Sequence, residues 1–537
     1  MKNRLILSLI CAGFTFSNWV NAHVINNDKP YNEFSWLTAH NSHASKGYVS
    51  PPYQNQYFDM YTQMEDYNAR GLMIDIRYED GRVELTHQDD NAGEFVERIN
   101  NEVVRFLNEN PNAVIFIDVE VTDGALTHSQ MAETMAQIPN FTNMMFNPED
   151  WKYLKGRWPT LSELIAANQR VFFIVDKKEI SGEYNDFEIL WRRDITVENM
   201  WAVVDKHSCD ERHGYGLRYV DDPRLDSWPR LFTMNHFREF GWFGWFTPND
   251  NSWDGLYPRV VDTCIPATGL NIKPNFVALD FISDGDGKQI VDVLNHGGIV
   301  FYEGNNAEQN IVCGIGAGIH QDFSAGNNGC ENDEARSAKL VNVKKGTSFA
   351  VFDSPDRNLS DDFTIITVNE DIGEPGVVIN SFEETYSNNK VSVDYFRYNG
   401  LDGKVSRFEV KPDGDIDIHN GLLAFYEGNN GSQDLVCSIP ISGNKNIDFT
   451  SDSYGCDNDE ARSMVLHQVR SGTQITVFDS PSANRNDDYT VINVLNDISS
   501  YTIDTFEHTF QNPWISVSFR HVNGLDGKVS RVEIRTD

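Results

Sequence analysis

The sequence predicts an α/β barrel of the TIM type followed by two all-β domains, and three observations support that expectation. From about residue 30 to 297, short apolar runs alternate with helical stretches. After about 298 the texture changes to Gly, Asn and Asp turns between short alternating strands, and this half of the chain repeats itself. The expected boundaries are a leader at 1–22, a barrel at 23–297, and β modules at 298–412 and 421–537.

The leader comes first. MKNRLILSLICAGFTFSNWVNA combines Lys2 and Arg4 with a short apolar core and Ala22 at a cleavage point, the pattern of a secretory signal peptide. No later apolar run is long enough for a membrane helix. The expected destination is a periplasm or the exterior, with the mature chain soluble and monomeric.

The barrel strands are read from LMIDIRY, VELTHQ, VIFIDVE (114–120), VFFIVD (171–176), MWAVVD (200–205), LFTMNH (231–236) and FVALDF (276–281), several of which end in a polar residue. Between them, Phe95, Ile99, Val103, Phe106 and Leu107 recur at helical spacing, and Pro111 stops that helix. About eight such strands argue for a closed barrel with its site at the strand ends, against a doubly wound open sheet as the competing architecture.

The β modules are read from the repeat. FYEGNN begins at 301 and 425, NDEARS at 332 and 458, FDSP at 352 and 478, and NGLDGKVSR at 399 and 523. Once Cys11 leaves with the leader, an even set of cysteines remains in an exported chain, which suggests disulfides. The repeat makes Cys313 with Cys330 and Cys437 with Cys456 the economical pairs, leaving Cys209 with Cys264.

Composition limits the partners. Lys and Arg number 44 against 80 Asp and Glu, a formal charge of −36. That balance disfavours nucleic acid and gives no long-range attraction to anionic membranes.

The residues with chemistry sit in TAHNSHA (38–44) and MIDIRYEDGRVELTHQ (73–88). His40 and His87 offer a general base and a general acid near neutral pH, and Arg77 offers a permanent bidentate anion clamp. Side chains two apart on a strand share a face, so Asp75 and Arg77 are expected to point together into the barrel mouth, with Asp75 a partner for the arginine. This is a kit for cutting a phosphodiester. His43 and His236 lack such a pattern and read as structural; Asp118 and Asp176 read as strand-end caps.

On these residues, the stretch from 30 to about 297 resembles the phosphatidylinositol-specific phospholipase C X-domain family, bacterial type. The resemblance implies that His40 takes the inositol 2-hydroxyl proton, Arg77 stabilises the phosphorus oxygens and His87 protonates the departing diacylglycerol. It further implies that Asp280 orients His40 and Asp75 supports His87 or Arg77. Substrate contacts are expected at Asn41, Glu120, Lys177 and Asp205. Asn41 follows the calcium-binding animal pattern and Glu120 keeps calcium open, but Arg77 argues for no catalytic cofactor. The implied partner is a phosphoinositide lipid at a membrane surface, with glycosylated anchors left open as a further substrate. The rivals are a metal-dependent glycerophosphodiester or sphingomyelin phosphodiesterase, and a non-catalytic lipid or surface binder.

Two further expectations follow. The aromatic run GWFGWFTPNDNSW, with Trp242, Phe243, Trp245, Phe246 and Trp253, suits a membrane interface or, alternatively, packing over the barrel. Each β module resembles a βγ-crystallin-like Greek-key domain, which implies calcium at Asn332, Asp333 and Ser337, and at Asn458, Asp459 and Ser463. Arg336 and Arg462 stand where that pattern has a hydroxyl.

Overall fold

The computed structural model describes residues 28–536, apart from 89, 123–124, 202–207, 215, 217–219, 221, 226, 239–243, 326–328, 360, 397–398, 413–420, 442 and 452. The leader, Asp205, Trp242 and Phe243 lie outside the described residues.

The first domain is built on strands β1 (Trp36–Ala39), β2 (Gly71–Glu79), β3 (Arg82–His87), β4 (Asp90–Glu94), β5 (Ile115–Val121), β6 (Val171–Val175), β7 (Gly182–Tyr184), β8 (Phe187–Trp191), β9 (Thr196–Glu198), β10 (Leu231–His236) and β11 (Phe276–Leu279). The parallel order is β8-β6-β5-β2-β1-β11-β10-β9. Among the described residues no strand pairing joins β8 to β9, so the sheet curls as an open barrel where a closed one was expected. VELTHQ is not a barrel strand either: β3 folds back antiparallel on the upper half of β2, and β4 on β3. The run at 200–205 is largely undescribed, and β9 precedes it.

Alternation along the strands gives the barrel a dry floor and a polar mouth. On β5 the residues Phe116, Asp118 and Glu120 share one face, and on β1 and β11 the same phase runs Trp36, Thr38, His40 and Phe276, Ala278, Asp280. At the floor, Phe116 stacks on Phe276 at 3.9 Å and Tyr31 on Phe172 at 4.6 Å between centroids. Where β2 crosses β1 there is no room for a side chain at Gly71, because a Cβ would collide with Thr38. On the outer face, Phe95, Ile99, Val103, Phe106 and Leu107 bury one stripe of the expected helix against Leu72, Ile74, Ile117 and Phe173. That helix has a π turn at Ile99–Val104 and stops before Pro111.

Each module is two antiparallel sheets. In the first, the four-stranded sheet orders its strands 311–316, 298–302, 337–341, 377–379, and the six-stranded sheet runs 321–322, 407–411, 348–352, 363–368, 391–396, 386–387; the second module repeats both orders. All three expected disulfides form, with S–S distances of 2.09, 2.02 and 2.09 Å. One hydrophobic cluster runs without a break from Leu256, Tyr257 and Leu294 of the barrel into Ile299, Cys313 and Ile315 of the first module. Asp254 accepts the Ile311 amide at 2.7 Å across that seam.

Candidate active site

A cavity of about 570 Å³ opens at the C-terminal ends of the strands, lined among others by His40, Asn41, Asn55, Asp75, His87, Asp118, Glu120, Arg192, Glu198, Arg212, Asn235 and Phe237. This is where a parallel barrel puts chemistry, because the loops after the strands converge there.

His40 follows β1 and is held from several sides. Its Nδ1 meets Asp280 Oδ1 at 2.7 Å, and the same oxygen accepts Asn55 Nδ2 at 2.9 Å. Asp280 is 2% exposed, so its charge is balanced by these donors in place of water. The ring lies flat on Phe237, 3.5 Å between centroids and 4° between planes. Gln56 Nε2 donates to the carbonyls of His40 and Leu279, which joins β1 to β11. The next residue, Asn41, takes a left-handed φ of 44° that asparagine tolerates, and this turns the chain out of the strand.

His87 ends β3, and its Nδ1 lies 3.4 Å from Asp75 Oδ2 on β2. Burial pushes the Asp75 carboxyl up, but the hydrogen bond with His87 and the nearby His43, His87 and His40 rings bring it below its ordinary value. The two catalytic candidates therefore have one design: a carboxylate engages Nδ1, which fixes the tautomer and turns Nε2 to the cavity.

His43 lies behind this pair and is fully buried. Its Nε2 meets the Thr86 carbonyl at 2.7 Å, and burial depresses its pKa to about 4, so the ring is neutral. His236, also read as structural, is held between the Asp250 carbonyl at 2.7 Å and Arg259 at 2.7 Å.

Arg77 was the expected anion clamp. β2 stops pairing with β5 at Ile76 and continues as a hairpin with β3, so Arg77 emerges above the rim opposite Glu84. Its guanidinium sits 2.7 Å from Glu79 and 3.5 Å from Glu84, and it does not line the cavity. Lys177 is likewise outside, exposed and 3.2 Å from Asp176.

The cations at the cavity are others. Arg192 Nε donates to Asp118 at 2.6 Å, and Arg212 donates to Glu198 at 3.0 Å, which also accepts Asn235 Nδ2 at 3.0 Å. Burial raises the Asp118 carboxyl to about 6, against the pull of Arg192. Asp118, expected as a strand-end cap, lines the cavity instead, and its phase two residues before Glu120 was the available signal, whereas Arg192, Arg212 and Asn55 lie in segments without periodic signal.

Asn41, Asp75 and Glu120 line the cavity together, and Asp75 and Glu120 are register partners on adjacent strands. Glu120 is exposed to the mouth, yet desolvation within the cavity and the Asp75 charge raise its carboxyl. Two carboxylates and an amide oxygen fit a hard divalent cation such as calcium.

Around the mouth, Tyr53 and Trp201 line the cavity while Trp245 and Phe246 stand exposed. Trp253 is buried against the first module, where a Cβ on Gly314 would strike its ring, so the aromatic run divides between surface and core.

In the modules, several residues of the expected ligand sets make hydrogen bonds of their own. Ser337 is buried and donates to the Gly304 carbonyl at 2.5 Å while accepting the Ala307 amide, and Ser463 repeats this with Gly428 and Gly431. Asn332 and Asp333 are exposed, and Asp333 accepts Ser406 at 3.1 Å, as Asp459 accepts Ser530 at 3.0 Å. Asn458 is half-buried. The carboxylates that do gather are Asp353, Asp361 and Asp362, and at the same places in the second copy Asp479, Asp487 and Asp488.

A family profile described as PI-PLC X 1 matches residues 27–295. The chain is 26% identical over 288 residues to a PI-PLC X domain-containing protein of Arabidopsis thaliana, covering 50% of this chain and 63% of that protein. It is 27% identical over 282 residues to PI-PLC X domain-containing protein 1 of Arthroderma benhamiae, covering 50% and 86% respectively, and 24% identical over 217 residues to an uncharacterized secreted protein of the same fungus, covering 39% and 45%. Solved structures of phosphatidylinositol-specific phospholipase C from Staphylococcus aureus (14% identity, 50% of this chain, 94% of that chain, TM-score 0.32) and Listeria monocytogenes (11%, 50%, 95%, 0.34) are similar to it.

Proposed function

We propose, from the premise that the chain belongs over residues 27–295 to the family described as PI-PLC X 1, that it is an exported phosphodiesterase cleaving phosphatidylinositol. The observation that carries this reading is the matched pair of histidines, each engaged at Nδ1 by its own carboxylate and both facing one cavity.

In the proposed reaction, His40 Nε2 takes the proton of the inositol 2-hydroxyl, and that oxygen attacks phosphorus. The bond from phosphorus to the glycerol oxygen breaks, and His87 delivers a proton to that oxygen, releasing diacylglycerol and an inositol cyclic phosphate. Asp280 stabilises the imidazolium on His40, and Asp75 holds His87 in the tautomer that presents its acidic proton. Glycosylated anchors share the same phosphodiester and are proposed substrates of the same step. Phosphorus NMR of phosphatidylinositol digests tests the reading: a cyclic phosphate signal supports it, and a linear inositol phosphate formed with no cyclic precursor sinks it.

With Arg77 outside the cavity, a second reading has a specific observation in its favour. Asn41, Asp75 and Glu120 would hold a calcium ion that neutralises charge on the phosphate. Turnover undiminished in chelator supports the metal-free reading; its complete loss, restored by calcium, supports the second.

Export is supported by the three disulfides, and among the described residues no helix is long and apolar enough to cross a membrane. Trp245 and Phe246 are the proposed contacts with the lipid surface. The crystallin-like character of the modules and calcium binding by them are also proposals, and the repeated aspartate groups are where such an ion would bind.

A further inference from the structure

We propose that His43, Asp75 and His87 form a site for one divalent cation of the zinc type, and that filling it switches cleavage off. One ligand atom from each of the three lies within 4.8 Å of the others. His87 Nδ1 and Asp75 Oδ2 are 3.4 Å apart, about the spacing of two ligand atoms on a tetrahedral zinc with bonds of about 2.0–2.2 Å. The rings of His43 and His87 stand nearly edge to face, 6.2 Å between centroids and 78° between planes, so one nitrogen of each can aim at a common point.

His43 supplies the second, independent observation. It is 0% exposed, and its Nδ1 has no hydrogen-bond partner among the described residues. A sealed, unpartnered acceptor costs about 1–3 kcal/mol, so the fold carries it at a loss unless something binds there. Its other nitrogen, Nε2, is held by the Thr86 carbonyl, which keeps the proton on Nε2 and leaves a lone pair on Nδ1. A metal-bound imidazole has this arrangement: the far nitrogen donates to a carbonyl or carboxylate, and the near one ligates.

Two imidazoles and one carboxylate suit zinc or cobalt better than calcium, which prefers oxygen throughout. Asp75 and His87 line the cavity and His43 lies behind them, so the remaining coordination position faces the cavity. The inhibitory consequence rests on the proposed acid role of His87. A metal on His87 Nδ1 displaces its Asp75 partner and occupies the nitrogen that must carry a proton in the imidazolium. The ring then has no readily given proton for the departing oxygen.

Cobalt titration of tag-free protein, followed by visible absorption, tests the site without any lipid. One cobalt per chain should give a ligand-field band that zinc abolishes, and His43→Phe should weaken cobalt binding by more than the roughly 10–100-fold that loss of an outer-shell partner costs. Asp75→Asn and His87→Ala should weaken it as well, and they decide the matter if His43→Phe does not fold. Unchanged cobalt affinity in a folded His43→Phe protein, or in both other variants, overturns the site. Zinc should inhibit phosphatidylinositol cleavage with the midpoint of its binding; binding without inhibition overturns the switch. Cobalt binding by a protein that cleaves no phosphatidylinositol retains the site and overturns the phosphodiesterase reading alone.

Discussion

The two modules make the same side-chain hydrogen bonds at equivalent positions, whereas the polar groups of the barrel mouth occur once and face a cavity. Asp402 accepts Ser381 at 2.8 Å in one module, and Asp526 accepts Thr505 at 2.6 Å in the other. Glu383 caps the amides of Leu401 and Asp402, and Glu507 those of Leu525 and Asp526. A bond kept in both copies holds the common fold together, so the repeat identifies structural polar residues by itself. His40, His87, Asp75 and Asp280 have no such double, and the bonds they make hold two imidazoles at the cavity.

The comparison breaks most visibly at the histidines. His40→Ala and His87→Ala should each lower phosphatidylinositol turnover by about 10²–10⁴-fold, with melting temperatures near the parent's. Ser337→Ala and Ser463→Ala should do the reverse, lowering the melting temperature while leaving kcat/KM within a few-fold. Turnover retained in His87→Ala would remove the acid from the scheme. Arg77→Gln, taken from a side chain already paired above the rim, should change turnover little, and a collapse on the scale of the histidine variants would restore it as the clamp.

Much of this distinction was legible in the chain. The phase of Asp280 two residues beyond Ala278, and of His40 beyond Thr38, put both at the same rim. The fate of Arg77 was not legible, because phase alone does not say where β2 leaves its parallel neighbour; the hairpin with β3 lifts it to Glu84. The hydrogen bonds that Ser337 and Ser463 make were not legible for a related reason. A motif gives residue types at a spacing, but Gly304 and Gly428 are brought to those hydroxyls by the fold. Arg192, Arg212 and Asn55 reach the cavity from segments without periodicity, so only tertiary structure reveals them.

His43 extends the comparison to pH. Burial holds its pKa at about 4, below the usual 6.5 of an unfolded histidine, so the unfolded chain binds the proton first on acidification. Its contribution is complete above pH 6.5, is lost as pH falls from there, and stops changing below about 4. The loss is on the order of 3 kcal/mol at about 1.4 kcal/mol per pKa unit. Urea unfolding at pH 7 and pH 4.5 should show that His43→Phe has a shallower slope than the parent. An identical slope would mean that water reaches the ring in the folded state.

The interfaces give a smaller, paired effect. Gly314 in the first module and Ser438 in the second occupy equivalent positions, but Gly314 lies under Trp253 of the barrel, and Ser438 is a buried hydroxyl without a hydrogen-bond partner among the described residues. Gly314→Ala should cost about 1–3 kcal/mol by overpacking. Ser438→Ala should be neutral or slightly stabilising, since it removes an orphaned group. Equal costs at the two sites would show that the barrel seam is soft.

The smallest effect separates the copies from each other. The first module presents Ala350, Phe352, Phe363, Ile365 and Phe396 to the second, which answers with Leu422, Ala424 and Tyr426. At the edge of this contact, the rings of His467 and Phe396 meet edge to face with centroids 5.6 Å apart, and His467 Nε2 is sealed from solvent without a hydrogen-bond partner among the described residues. The first copy has Val341 at the same register, fully apolar and buried. Burial depresses the His467 pKa to about 4, so this ring too loses stability as pH falls from 6.5. His467→Val, which gives the second copy the residue of the first, should change stability at pH 7 by less than about 1 kcal/mol, because lost ring contact offsets the removal of an orphaned nitrogen. At pH 4.5 the variant should melt above the parent. A loss at neutral pH well beyond that range would mean that the second module uses His467 for an interaction the first does not need, and that the copies have diverged in role as well as in position.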